Sequence, residues 1–262
     1  MPSIDFNEEW TTKIRYQVLI GLVLCVIIII VYFIITAFVR FIAKTTGHPG
    51  RTAIEPHTRY AYKSEVYSTN PNEDDAKVIK RSMNERSGLE FTYAMWLYIE
   101  NEAWNTSRTE DMHVMHKGNK DGYPNRAPGI YIDRNTNALT IKMNTFHDTE
   151  IEDSVTIENI PVDKWFHLAV VVTQPKNLDI YINGFLKQRK ILNGIPKQNY
   201  GNIYLTQDGG FSGMQSRIYY YDFAISAVSM HQLVVEGPSR KMSNSTRGSE
   251  PPYLAQSWWL EN

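Results

Sequence analysis

The sequence is short of cysteine, of net charge and of helical periodicity, and each shortage excludes a class of protein. Cys25 is the only cysteine, so an internal disulfide cannot form and zinc coordination by several thiolates is excluded. The formal net charge of -1 leaves no basic excess for phosphate backbones, and no nucleic-acid partner is expected. At 42% hydrophobic and 21% charged residues, the chain has enough apolar side chain to bury a core and is not disordered.

What the sequence does contain is a long uncharged run, VLIGLVLCVIIIIVYFIITAFV, from Val18 to Val39. At ~1.5 Å per residue it spans roughly 33 Å as a helix, enough to cross a bilayer core. Apolar residues, among them Val18, Leu24, Ile29, Phe33 and Val39, occupy every face, which argues against a core helix. A cleaved signal peptide has an apolar core of about 7 to 15 residues followed by small residues. Here Phe38-Val39-Arg40-Phe41 follows instead, so an uncleaved single-span anchor over residues 18–43 is expected after an N-terminal segment, 1–17. Lys13 and Arg15 precede the run while Arg40, Lys44 and Arg51 follow it, which tips the C-terminal side toward the cytoplasm.

Residues 44–87 carry Gly, Pro and charge with no sustained apolar period, and read as a stalk or extended arm. A short helix over 76–88 is expected within it, capped by Asp74 or Asp75 and stopped by Gly88. From Leu89 onward the period becomes two. Phe91, Tyr93, Met95, Leu97 and Ile99 share one face of a strand while Thr92, Ala94, Trp96 and Tyr98 share the other. Both faces are largely apolar, so a strand covered on both sides, or one that docks a partner, is expected. Residues 129–143 read as a hairpin, with shorter strands at 155–157, 165–173, 178–182, 185–189, 202–206 and 214–221. Asn183-Gly184 supplies the positive φ angles of a tight hairpin turn. Many short strands with closely spaced turns predict a mainly β, antiparallel β-sandwich or jelly roll over residues 88–236, with a tail at 237–262.

Three blocks carry a resemblance: FTYAMWLYI (91–99), WFHLAVVVT leading to LDIYING (165–184), and FSGMQSRIYYY (211–221) followed by Ala224-Ile225-Ser226. In this order they resemble the concanavalin A-like or laminin G-like jelly-roll family. A narrower resemblance rests on RSMNERSGLEFTY (81–93), the N-terminal run and the aromatic tail. These are similar to membrane-anchored members encoded by large nucleocytoplasmic DNA viruses, which implies a minor capsid or virion membrane protein with capsid proteins as partners.

A glycosidase on this fold needs paired carboxylates about 5 Å apart along one strand, typically Glu-x-Asp-x-x-Glu. Glu73-Asp74-Asp75 begins that spacing but Lys77 and Val78 follow, and Glu150-Ile151-Glu152-Asp153 has no third partner in register. No catalytic residue is expected, and glycoside hydrolysis remains a remote alternative. His167 alternates with Phe166 and Leu168 and reads as framework, while His113, His116 and His147 lack a metal-ligand spacing. Asp121, Asp133, Asp148 and Asp208 fall near predicted loops without the oxygen density of a calcium loop, so no cofactor is expected although the resemblance leaves calcium possible. Two polar, Gly-punctuated loops, His116–Tyr123 and Gln207–Phe211, could bind a glycan through Asn119, Asp121, Tyr123 and Asp208. A solvated loop is the plainer alternative. Asn105 and Asn244 head glycosylation sequons. In the tail, Tyr253, Trp258 and Trp259 are the candidate docking residues, packing on the sandwich itself or on a partner. The functional expectation is a non-enzymatic, membrane-anchored binding module that tethers a virion membrane to its shell, with a glycan-recognising lectin as the alternative.

Overall fold

The computed structural model describes residues 6–45, 50–82, 89–104, 108–146, 153–173 and 176–243. The chain divides into two compact units, residues 1–49 and 50–262. The first holds one helix, α1 (Phe6–Thr45). Within it Lys13–Ala37, 25 residues with a mean hydropathy of 3.5, is long and apolar enough to cross a membrane. Val18, Leu24, Ile29 and Phe33 are each more than half exposed, as expected of side chains that need an apolar medium rather than a protein partner. Val39 lies on the same helix.

The second unit contains β1 (Arg51–Tyr60), β2 (Glu65–Tyr67), β3 (Phe91–Ile99), β4 (Met112–Asn119), β5 (Gly122–Ile132), β6 (Leu139–Met143), β7 (Asp153–Ile157), β8 (Trp165–Thr173), β9 (Asn177–Ile182), β10 (Phe185–Ile191), β11 (Asn202–Leu205), β12 (Gly213–Tyr221) and a helix, α2 (Ala227–Glu236). The strands form two antiparallel six-stranded sheets, ordered β1-β12-β3-β8-β9-β10 and β2-β11-β4-β5-β6-β7. The mainly β sandwich expected from the alternation is therefore present.

Alternation explains the packing. On β3, Phe91, Tyr93, Met95, Leu97 and Ile99 join Phe166, Leu168 and Val170 of β8 and Ile130, Ile132 and Ile141 of the opposite sheet in one core. The other face of β3 and β8 carries Ala94, Ala169 and Val171, which α2 covers with Met230 and Leu233. Both faces of β3 are thus buried, as its double apolar pattern requires. α2 begins where the Ser226 hydroxyl accepts from the Ser229 amide and ends at Gly237, whose φ of 66° suits a residue without Cβ. Asn183 and Gly184 turn β9 into β10 with φ of 51° and 83°, the paired positive values that the Asn-Gly dipeptide predicts.

Two expectations are corrected. Arg51–Tyr60, read as stalk, is β1 and pairs antiparallel with β12 across register shifts at Ala53/Glu55 and Glu55/Thr58. Pro56 suggested a break, but an edge strand with irregular register has no ladder bond for a proline to remove at that position. The helix expected over 76–88 is not found at 76–82, which is irregular; residues 83–88 lie outside the described ones. The outer edge of β1 is covered by the chain itself, since the Thr58 amide donates to the Lys241 carbonyl and the Thr58 carbonyl accepts from the Ser243 amide, at 2.8 Å each.

Candidate functional site

The outer face of β4, β5, β6 and β11 is polar. It bounds a cavity of about 730 Å³ lined by His113, His116, Arg126, Tyr131 and Lys142, with Glu110, Asp111, Lys120, Asp121, Arg134 and Asp208 around it. That volume lies within the ordinary range for small-molecule sites. A smaller space of about 30 Å³ near Lys117 and Tyr220 is water-sized, and the Lys117 ammonium there is already bonded to Asn199 and Gly201 carbonyl groups.

The floor is set by irregularities in β4. Register shifts at His113/Met115 and His116/Gly118 let Met112, Val114 and Met115 all enter the core while both histidines face the cavity. An unbroken strand cannot do this, because its side chains alternate strictly. The residues from His116 to Asn119, expected in a loop, are therefore strand, and the missed β4 is a consequence of its broken period.

Arg126 lies flat across β5. A Cβ on Gly129 would stand 2.2 Å from Arg126 Cδ, so only glycine leaves room for that path. The guanidinium donates to the Tyr131 hydroxyl at 2.8 Å and stands 5.3 Å from the ring centroid, with the Lys142 ammonium 5.2 Å from the same ring. Tyr131 also meets His113 edge-on at 5.4 Å, and Tyr204 of β11 stacks on His116 at 4.7 Å. The arrangement offers planar hydrogen-bonding groups next to aromatic faces, a chemistry suited to a polyhydroxylated ligand.

The histidines form a chain of hydrogen bonds. The Gln207 amide donates to His113 Nδ1 at 2.9 Å, His113 Nε2 meets His116 Nδ1 at 2.8 Å, and His116 Nε2 meets the Asn119 carbonyl at 2.8 Å. Burial, then His116, then Arg126 push His113 down to about 3. Burial also lowers His116, opposed by its bond to Asn119.

The cavity brings together two of the four residues expected to bind a glycan, Asp121 and Asp208. Asn119 contributes its backbone carbonyl to His116, and Tyr123 is 47% exposed on β5 without lining the cavity. Asp133 Oδ1 holds the amides of Asn135 and Thr136 at 2.8 Å each, a local turn role. Tyr253, Trp258, Trp259, Asp148, His147 and the two sequon asparagines lie outside the described residues. Among the described residues no group of three or more His, Cys, Asp or Glu is placed to hold a metal ion.

His167 is framework: it is buried against Trp96, ring centroids 5.4 Å apart, and burial lowers it to about 4. Asp179 is tied to Arg189 by bonds of 2.6 and 2.7 Å. Sequence reasoning missed Arg59 of β1. Fully buried, it donates to Thr206 Oγ1 at 3.0 Å and Gln215 Oε1 at 3.1 Å and also to the Lys63 carbonyl. Through Thr206 it fixes the start of the loop that carries Gln207 and Asp208. No signal short of the strand pairing could have found it.

The family model describing the concanavalin A-like lectin/glucanases superfamily matches residues 72–235. No curated protein matches the chain. Among solved structures, the binding domain of botulinum neurotoxin serotype G is similar at 15% identity and a TM-score of 0.49, over 71% of this chain and 46% of that one. The binding domain of serotype D is similar at 14% identity and a TM-score of 0.48, over 67% and 47%. The receptor-binding domain of the C/D mosaic serotype gives 12% identity and 0.45, over 56% and 36%. The chain thus spans less than half the length of each.

Proposed function

Because the chain belongs to the concanavalin A-like lectin/glucanases superfamily, we propose that it is a membrane-anchored, non-enzymatic binding module that takes a glycan into the cavity on the β4–β5 face. The observation that carries this reading is the 730 Å³ cavity itself, which gathers Asp121 and Asp208 from two separate turns beside Tyr131. α1 supplies a bilayer-length anchor, and the cytoplasmic side remains the proposed location of the domain. A glycan array read with and without calcium tests the site. Specific binding that weakens at least tenfold on Asp121→Ala or Asp208→Ala supports it, and binding indifferent to both substitutions, or none at all, refutes it. Hydrolysis of β-glucans by the chain would overturn the non-enzymatic part.

A second reading is a structural tether in a large DNA virus particle, holding membrane through α1 and shell proteins through the domain and the tail around Tyr253, Trp258 and Trp259. It rests on the resemblance of residues 81–93, the apolar run and the aromatic tail. Cross-linking mass spectrometry on purified particles tests it: links from the tail to capsid proteins support it, and their absence with links confined to the sandwich removes the docking role. Both readings require membrane pelleting in alkaline carbonate that is lost on deleting residues 18–39.

A further inference from the structure

The directions of the hydrogen bonds along the histidine chain are fixed by its two ends. The Gln207 amide can only donate, so His113 Nδ1 carries no proton and the proton of the neutral ring sits on Nε2. The Asn119 carbonyl can only accept, so His116 carries its proton on Nε2 and presents a bare Nδ1. The link between the rings at 2.8 Å is then a donation from His113 to His116. Every ring nitrogen is used once, and neither ring has a lone pair left for another proton. A proton on His113 Nδ1 would face the Gln207 N–H, and one on His116 Nδ1 would face the His113 N–H.

The chain ends are the two turns that carry the proposed ligand residues. One is the turn after β11, where Asp208, Gly209 and Gly210 all have positive φ and the Gly210 amide closes on the Gln207 carbonyl at 2.9 Å. The other is the β4–β5 turn, where Asn119 pairs with Gly122 around Asp121. We propose that His113 and His116 are positioning residues that lock these two turns across the cavity while both rings are neutral, and release them when either ring is protonated. This rests on the proposed binding site and makes it acid-labile: ligand is held at neutral pH and lost on acidification.

The surroundings oppose a charge inside the closed chain. Arg126 and Tyr131 of β5, Lys142 of β6 and Tyr204 of β11 face the pair, and the charged groups around the same cavity are Glu110, Asp111, Asp121, Asp133, Asp208, Lys120 and Arg134. Burial and Arg126 disfavour the imidazolium, while Asp121 favours it on His116. A proton therefore enters on opening, where the rings regain an ordinary pKa near 6.5.

The test is amide hydrogen exchange on the full chain in phosphatidylcholine nanodiscs, corrected for the intrinsic pH dependence of exchange. Protection in peptides covering 117–123 and 206–211 is expected to fall together below about pH 6.5, by up to about tenfold per pH unit for each ring that binds a proton on opening, and at every pH to stay lower than that of a peptide containing Tyr220 in β12, which exchanges through global unfolding. His113→Gln, or His116→Gln should the first not fold, is expected to flatten that slope. Protection of both turns that is independent of pH, or that tracks Tyr220, overturns the proposal, and the wild-type profile decides this without any variant. A glycan array read at about pH 7.5 and about pH 5 separates the two readings. A glycan bound equally at both overturns the gate. If no glycan binds at either pH while the exchange slope is present, the ligand reading falls and the histidine lock stands.

Discussion

On the outer face of the β3–β8 sheet, α2 lays Met230 and Leu233 over Ala94, Ala169 and Val171. On the outer face of the β4–β5 sheet the equivalent depth is occupied by His113, His116, Arg126 and Tyr131 around a cavity. The first face is apolar and is closed by its own chain. The second buries polar groups and holds them with hydrogen bonds instead of a covering helix. Even histidine differs between them: His167, on the covered side, has no partner for Nδ1 among the described residues, whereas both nitrogens of His113 and His116 are bonded. One face is closed by apolar packing, and the other keeps buried polar groups satisfied by hydrogen bonds around an open cavity.

The sharpest way to break this contrast is at Arg59, which ties the interior to the turn beside the cavity. Arg59→Met leaves Gln215 Oε1 without its donor and Glu65 without its cation, and urea unfolding in detergent should show a loss of about 3 kcal/mol or more. Leu233→Ala, on the covered face, should cost about 2–4 kcal/mol by cavity formation while leaving glycan-array signals at the other face unchanged. Acid should act on both faces. His113, His116 and His167 all lie below the ordinary value in the folded chain, so the unfolded state binds more protons below about pH 6.5. Their contribution is complete above that pH and declines as pH falls toward the folded values of about 3 for His113 and about 4 for His167. Lowering the pH from about 6.5 to about 5.5 should cost about 1 kcal/mol each for His113 and His167, with His116 acting in the same direction, read from urea midpoints across pH. The smallest effect is expected at the rim, where Asp208→Asn, which keeps a residue type that tolerates the positive φ of this position, should change stability by less than about 0.5 kcal/mol yet reduce glycan binding.

What was legible in the sequence follows from regularity. β3, β8 and β9 alternate without interruption, so their faces and the Asn183-Gly184 turn could be read directly. β4 could not, because its three register shifts change which face a residue takes and leave MHVMHKGN without a period. β1 could not, because Pro56 and two further shifts disguise an edge strand as a linker. The site divides in the same way. Asp121 and Asp208 were visible as polar residues in Gly-rich turns, but nothing local places them on one cavity. His113 and His116 were visible only as isolated histidines, because their bond depends on a bulge. Arg59 fell within the stretch read as a stalk, and its burial is a property of the β1–β12 pairing.

The sheet edges have a consequence of their own. β1 is sealed by residues 241–243, β2 is three residues long and β7 five, and β10 carries Lys187 and Lys190 beside a bulge at Leu186/Gln188. Each is a different obstacle to a foreign strand adding to the sheet. Were the bilayer-length helix to hold many copies in one membrane plane, open edges would invite polymerisation. Blunted edges would let such copies lie side by side as separate molecules.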